Sequence, residues 1–171
     1  GETVVVAGLG LGPEDVAATL QSAGYSRVQR VGSSGDFVVG DQSILVRDGV
    51  EIGAGWNSPI STNDPTAHAE VTAIRNACKE LKTFQLDDCI LYTSCEPCPM
   101  CLGAIYWARF KKVFYALEQT DAATIGFDDQ FIYDEIDKDK DARKIPFQQI
   151  GREEALPVFQ EWDQKENRTD Y

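Results

Sequence analysis

The residue types that could do chemistry in this chain fall in two short stretches. The only histidine, His68, stands two places before Glu70 in "TAHAEVT", Thr66 to Thr72. Further on, "SCEPCPMCLGA" carries Cys98 and Cys101 as a C-x-x-C pair after Pro97. Residues three apart share a helix face, and a helix N-terminus favours thiolate, the form of cysteine that binds metal. Two thiolates alone are an incomplete zinc site, because a catalytic zinc takes three protein ligands and leaves its fourth position to water. His68 can supply the third. Glu70 serves better as a proton carrier between water and substrate than as a fourth ligand. Each piece has an ordinary reading by itself: Cys98 and Cys101 as a redox pair or small buried residues, His68 as a packing residue. Together they read as a metal centre.

Those residues need elements that bring them together. Thr3 to Val6 is a β-branched run leading into glycines, and "PEDVAATLQSAG" reads as a helix, with Pro13 in its first turn, Glu14 and Asp15 at its positive start and Gly24 at its exit. The glycines of "GLGLGPED" fall as G-x-G-x-G without a P-loop lysine, which suits a plain turn better than a nucleotide loop. "SILVRDGVEIGAGWN" reads as a hairpin turning at Asp48-Gly49. "STNDPTAHAEVTAIRNACKEL" predicts a helix capped by Asp64 with Pro65 in its first turn, burying a face of Val71, Ile74, Cys78 and Leu81. "CILYTS" is a buried strand, "CEPCPMCLGAIYWARF" a turn and helix, and "KKVFYAL" another strand. Beyond it, "TDAATIGFDDQFIYDEIDKDKDARK" is helical and acidic, "IPFQQI" reads as a strand, and "EEALPVFQEWDQKENRTDY" as a last helix with a polar tail.

The alternation over residues 43–117 predicts an α/β fold, a three-layer α/β/α sandwich around a mixed five-stranded sheet, with residues 1–171 as one domain. Two neighbouring parallel strands, each followed by a helix, put both helix starts at one edge of the sheet, where open α/β sheets build their sites. His68, Cys98 and Cys101 are expected to converge there.

The 171 residues suit a single hydrophobic core, and 43% are hydrophobic. No run nears the ~18 apolar residues of a membrane span. "TVVVAGLGLG" is short and lacks a basic flank, so it does not read as a signal peptide, and Gly1 in place of Met reads as a processed or tagged start. A soluble cytoplasmic protein is expected. The net charge of -12 repels phosphate polymers, and the densest basic cluster, Arg109 with Lys111 and Lys112, is small, so nucleic acid is not expected as a partner. Five cysteines without a secretion signal point to reduced thiols or metal ligands rather than disulfides. Cys78 and Cys89 read as core; Cys95 lies near the centre with no assigned role.

His68-Ala69-Glu70 and Pro97-Cys98-Pro99-Met100-Cys101 match the H-x-E and P-C-x-x-C pattern of zinc-dependent deaminases. The chain resembles the cytidine-deaminase superfamily at these residues. From about Asn57 onward it is similar to the small bacterial guanine deaminases, on "NDPTAHAEVTAIRNAC", "LYTSCEPCPMCLGAIYWAR", "GFDDQFIYDEID" and the terminal Tyr171. The resemblance implies a cytidine-deaminase-like fold and one zinc ion held by His68, Cys98 and Cys101. It implies hydrolysis at C2 of guanine to give xanthine and ammonia, with Glu70 carrying the protons. It assigns Asn57, the Ala69 backbone, Trp107, Asp129 and Tyr171 to the purine, and the tail of residues 152–171 to closing the pocket, often that of the partner in a swapped homodimer. Chemistry supports Asp129 separately: guanine presents N1–H and an amine on one edge, which an acceptor-only carboxylate suits and which adenine lacks. An Asp128-Asp129 pair is otherwise an ordinary turn or cap.

The front of the chain departs from that group. Where its members carry Gly-Pro-Phe-Gly-Ala entering the first strand, this chain has "VVGDQS", Val38 to Ser43, and Phe37 is the nearest stand-in for the phenylalanine. A tRNA adenosine deaminase, or another nucleobase or nucleoside deaminase, shares the zinc residues and is the alternative within the class. A non-catalytic zinc-stabilised domain is the alternative outside it.

Overall fold

The structure, a computed structural model, describes residues 3–6, 27–30, 42–127 and 129–169. Two units divide the chain, Gly1–Asp129 and Gln130–Tyr171. In the first, β1 (Thr3–Val6) and β2 (Arg27–Arg30) pair in parallel as a small separate sheet. The expected helix at residues 13–24, the "GLGLGPED" turn and Phe37 lie outside the described residues. The main sheet is built from β3 (Gln42–Arg47), β4 (Val50–Trp56), β5 (Ile90–Cys95) and β6 (Lys112–Leu117), in the order β4-β3-β5-β6. Helices α1 (Pro59–Thr62), α2 (Ala69–Leu81), α3 (Pro99–Ala108) and α4 (Gln119–Thr124) follow β4, α1, β5 and β6.

The hairpin forms where the sequence places it. Asp48 (φ 49) and Gly49 (φ 78) both take the left-handed conformation that a tight two-residue turn needs. β3 pairs antiparallel with both β4 and β5, and β5 pairs parallel with β6. β4 and β5 therefore run the same way but are not neighbours, as the sequence had suggested; β3 lies between them. The consequence for the site survives, because the helices after β4 and β5 still start at one edge.

Alternation along the strands sorts the two faces of the sheet. Leu45 opposite Leu91, and Ser43 opposite Thr93, face α2 and α3, and the Ser43 hydroxyl donates to Thr93 Oγ1 at 3.0 Å. Leu45, Leu86, Cys89 and Leu91 are fully buried there with Ala73, Ala77, Ile105 and Ala108. On the other face Ile44 and Val46 are also buried, at 2% and 3% exposure. Helices α2 and α3 thus cover the first face, and the fold is of the α/β class, a mixed sheet flanked by helices.

Helix α2 packs more closely than the expected stripe allows. Val71 is buried, while Ile74, Cys78 and Leu81 pack at the margin of the core; the deepest positions are Ala69, Ala73 and Ala77. The strand opposite carries Gly53 and Gly55, where an added Cβ would meet α2 backbone within 3.0 Å. Small residues on both sides let helix and strand approach backbone to backbone. Asn76 Nδ2 donates to the Ala54 carbonyl at 2.8 Å and fixes the register between them.

The second unit holds α5 (Gln130–Asp137), a 3-10 turn at Lys140–Ala142 and α6 (Arg152–Asp163). Residues 145–150, expected as a strand, are irregular; Pro146 has no N–H for a ladder and no described strand lies beside them. None of the described residues of this unit is buried, and Phe131, Ile136, Phe147 and Phe159 are all more than half exposed. Among the described residues no helix is long and apolar enough to cross a membrane.

Candidate metal centre and active site

The helix that carries Glu70 starts later than the sequence suggests, and its start makes the site. Asp64 does not cap α2. Its carboxylate accepts from the Thr66 N–H at 2.8 Å and the Thr66 hydroxyl at 2.6 Å, closing a local turn that also contains Pro65. Those bonds hold the Asp64 carboxyl below its usual range. The chain then extends, and His68 takes the N-cap position of α2 with φ -70 and ψ 157. Cys98 takes the N-cap position of α3 with φ -61 and ψ 167, and Pro99 sits in the first turn.

Neither cap residue makes a side-chain capping bond. Both side chains turn toward each other instead. His68 Nδ1 lies 3.6 Å from Cys98 Sγ and 3.6 Å from Cys101 Sγ, and the three ligand atoms lie within 4.8 Å of one another. Bonds of about 2.0–2.1 Å from zinc to nitrogen and about 2.3 Å to sulfur set tetrahedral edges of roughly that size, so the donor set and its spacing fit zinc. Forgoing two caps costs stability of about 0.5–2 kcal/mol each. It places three ligand atoms against two positive helix ends.

The protonation of the cluster fits that use. Hydrogen bonding from Cys101, with support from His68, pushes the Cys98 thiol down to about 4, despite partial burial. Cys101 is fully buried, and its thiol is pushed up because it donates its own proton in a hydrogen bond to the Cys98 thiolate, with burial adding to the shift. A dication among these atoms favours the second thiolate as well. The Cys98 thiolate in turn raises His68.

Glu70 lies in the first turn of α2, 8% exposed, and burial is the main force raising its carboxyl above the ordinary range. It is close enough to hydrogen-bond Cys101 and to feel His68. Ala69, between the two, is buried at 4% exposure. Asn57 directly follows β4 and is half-buried. Asp129 is half-buried and close enough for its charge to act on His68 and Cys95. Trp107 is not brought to the cluster. It lies six residues beyond Cys101, about 240° round a helix, and is 66% exposed. Tyr171 lies outside the described residues.

Several partners of the site have little sequence signal. Gln119 Nε2 donates to Asp129 Oδ1 at 2.7 Å, and the Gln119 N–H donates to Glu96 Oε2 at 3.1 Å. Nothing about a glutamine after a strand marks it. Gly53 and Gly55 do carry a signal, since glycine inside a strand often marks close backbone approach.

Comparison with known proteins agrees with this geometry. Residues 20–117 match the family described as cytidine and deoxycytidylate deaminase zinc-binding region. The chain is 63% identical over 129 residues to a guanine deaminase of Bacillus subtilis, covering 75% of this chain and 83% of the relative. It is 41% identical over 93 residues to a tRNA-specific adenosine deaminase of Haemophilus influenzae, covering 54% of this chain and 53% of that one. An X-ray structure of guanine deaminase from Bacillus subtilis superposes with a TM-score of 0.75 at 50% identity, over 94% of this chain and 99% of that chain. A guanine deaminase from Nitrosomonas europaea gives a TM-score of 0.51 at 26% identity, over 75% and 69% of the two chains.

Proposed function

The chain belongs to the cytidine and deoxycytidylate deaminase zinc-binding family, and from that premise we propose that it is a guanine deaminase, hydrolysing guanine to xanthine and ammonia with one zinc ion per chain. The observation that carries the reading is the convergence of His68, Cys98 and Cys101 beside a buried Glu70. The 63% identity to a guanine deaminase selects the substrate.

Zinc held by these three residues supplies Lewis acidity that eases deprotonation of the attacking water. Glu70 takes that proton as the water oxygen bonds to C2 and gives it to the ring N3; it then takes the proton of the new C2 hydroxyl and delivers it to the amine as the C2–N bond breaks and the C2 carbonyl forms. One guanine and one water become one xanthine and one ammonia. A carboxyl raised by burial suits this work, because it binds and releases protons nearer neutrality.

Asn57 and the Ala69 backbone hydrogen-bond the purine in this reading, and Asp129 accepts from its N1–H and amine edge. That edge is the basis for preferring guanine over adenine. The alternative, a tRNA adenosine deaminase, is disfavoured by the net charge of -12 and by the lower identity to such enzymes.

The second unit buries none of its described residues, yet displays Phe131, Ile136, Phe159 and Trp162. Apolar residues presented in that way call for a surface to cover them. We assign that surface to a second copy in a swapped homodimer, where the tail through Tyr171 closes the partner's pocket. Free cysteines suit a reducing cytoplasm.

Zinc-loaded protein incubated with guanine, adenine, cytosine and an anticodon stem-loop tests the reading. Turnover of guanine alone is expected. Deamination of the stem-loop adenosine in place of guanine would favour the tRNA enzyme.

A further inference from the structure

We propose that Gln119 is a positioning residue that sets Asp129 for recognition of the substrate, an inference that rests on the guanine reading above. Asp129 sits in a loop, three residues after Gly126, whose φ of 91 turns the chain sharply. A carboxylate in such a loop needs an anchor if it is to meet a flat substrate edge in one orientation. The Gln119 amide provides one, donating from Nε2 to Asp129 Oδ1 at 2.7 Å.

Gln119 is itself fixed from two sides. Its N–H donates to Glu96 Oε2 at 3.1 Å, and the Glu96 N–H donates to the Leu117 carbonyl at 2.8 Å. Glu96 stands directly before Pro97-Cys98, so the anchor of Asp129 is tied to the loop that carries a metal ligand. On the other side, Glu118 and Asp121 close a capping box around the start of α4, with the Glu118 N–H donating to Asp121 Oδ2 at 2.9 Å. The backbone from which Gln119 projects is therefore held.

The chemistry of the pair suits selection of a base with two adjacent donors. A carboxylate has about four acceptor positions. One amide donor on Oδ1 fixes the plane and leaves Oδ2 for substrate N–H groups. Glutamine is neutral, so it orients the carboxylate without the competing ion pair that lysine or arginine would form.

The test is steady-state kinetics of zinc-loaded wild type, Gln119→Leu, Gln119→Glu, Asp129→Asn and the Gln119→Leu/Asp129→Asn double variant. Gln119→Glu keeps the length of the side chain but sets two carboxylates against each other. KM for guanine is expected to rise about tenfold in Gln119→Leu and further in Gln119→Glu, with zinc content and Tm retained. The double variant is expected to behave as Asp129→Asn alone, because Gln119 acts only through that carboxylate. A merely structural glutamine would give additive losses or a lowered kcat with lost zinc, and either result overturns the proposal. Wild type that deaminates guanine while Gln119→Leu keeps a wild-type KM sinks this inference alone. Wild type that leaves guanine untouched sinks the guanine reading and this inference with it.

Discussion

A Cβ built on Gly55 would collide with the Ala69 carbonyl oxygen, so β4 and the first turn of α2 touch through their backbones. Ala69 stands between His68 and Glu70, and the height of α2 over β4 thus sets where the ligand and the proton carrier sit relative to Cys98 and Cys101. Gly55→Ala must push that turn outward. The expected result is a stability loss of about 1–3 kcal/mol or more, together with weaker zinc retention and at least tenfold lower turnover. Urea unfolding and zinc per chain after gel filtration check this; full zinc at lowered stability would detach the contact from the site.

His68→Ala removes the one neutral ligand and leaves the thiolate pair. Zinc per chain is expected to fall well below one, and deaminase activity to fall in proportion. Stripping zinc from wild type with a chelator should abolish turnover, and returning zinc should restore it. Retained activity without metal would contradict the assignment of the centre.

Cys89 gives a pH signature of the core. Burial, helped by a hydrogen bond to Asp88, pushes its thiol from 9.0 up to about 12. The folded state therefore favours the protonated form, so this contribution is whole below pH 9 and is lost as pH rises toward 12. Thermal unfolding should show a Tm that falls through that window, and the fall should be shallower in Cys89→Ala, even though that variant starts lower. Parallel slopes would remove Cys89 as the cause.

The apolar residues of the second unit should be covered in solution. Sedimentation is expected to give a homodimer, and Phe159→Asp, at a position 75% exposed in the single chain, should weaken it. Deleting residues 165–171 should lower guanine turnover by more than it lowers zinc content. Equal loss of both would count against a role for the tail over the pocket.

The chemistry was easier to read in the sequence than the packing that holds it. H-x-E and P-C-x-x-C specify ligand types and a shared helix-start geometry, and the strands and helices between them follow from hydrophobic alternation. His68, Glu70, Cys98 and Cys101 were accessible on those grounds. The start of α2 was not. Asp64 and Pro65 make a plausible cap, but Thr66 competes for the Asp64 carboxylate and wins locally. The buried stripe of α2 was misplaced because the larger residues Ile74, Cys78 and Leu81 draw the eye, while Ala69, Ala73 and Ala77 fit against glycines on another strand. Gln119 could not be found at all, since its meaning lies in a hydrogen bond to a loop residue ten positions on.

The most direct measurement is made on zinc-loaded wild type and Glu70→Gln side by side, recording zinc per chain, xanthine formed and ammonia released from guanine. Wild type is expected to give xanthine and ammonia in equal amounts. Glu70→Gln should keep one zinc per chain and lose turnover by about 10²–10⁴-fold, the range for a lost general acid–base. A zinc-loaded wild type that forms no xanthine, or a Glu70→Gln variant that retains full turnover, would contradict the account.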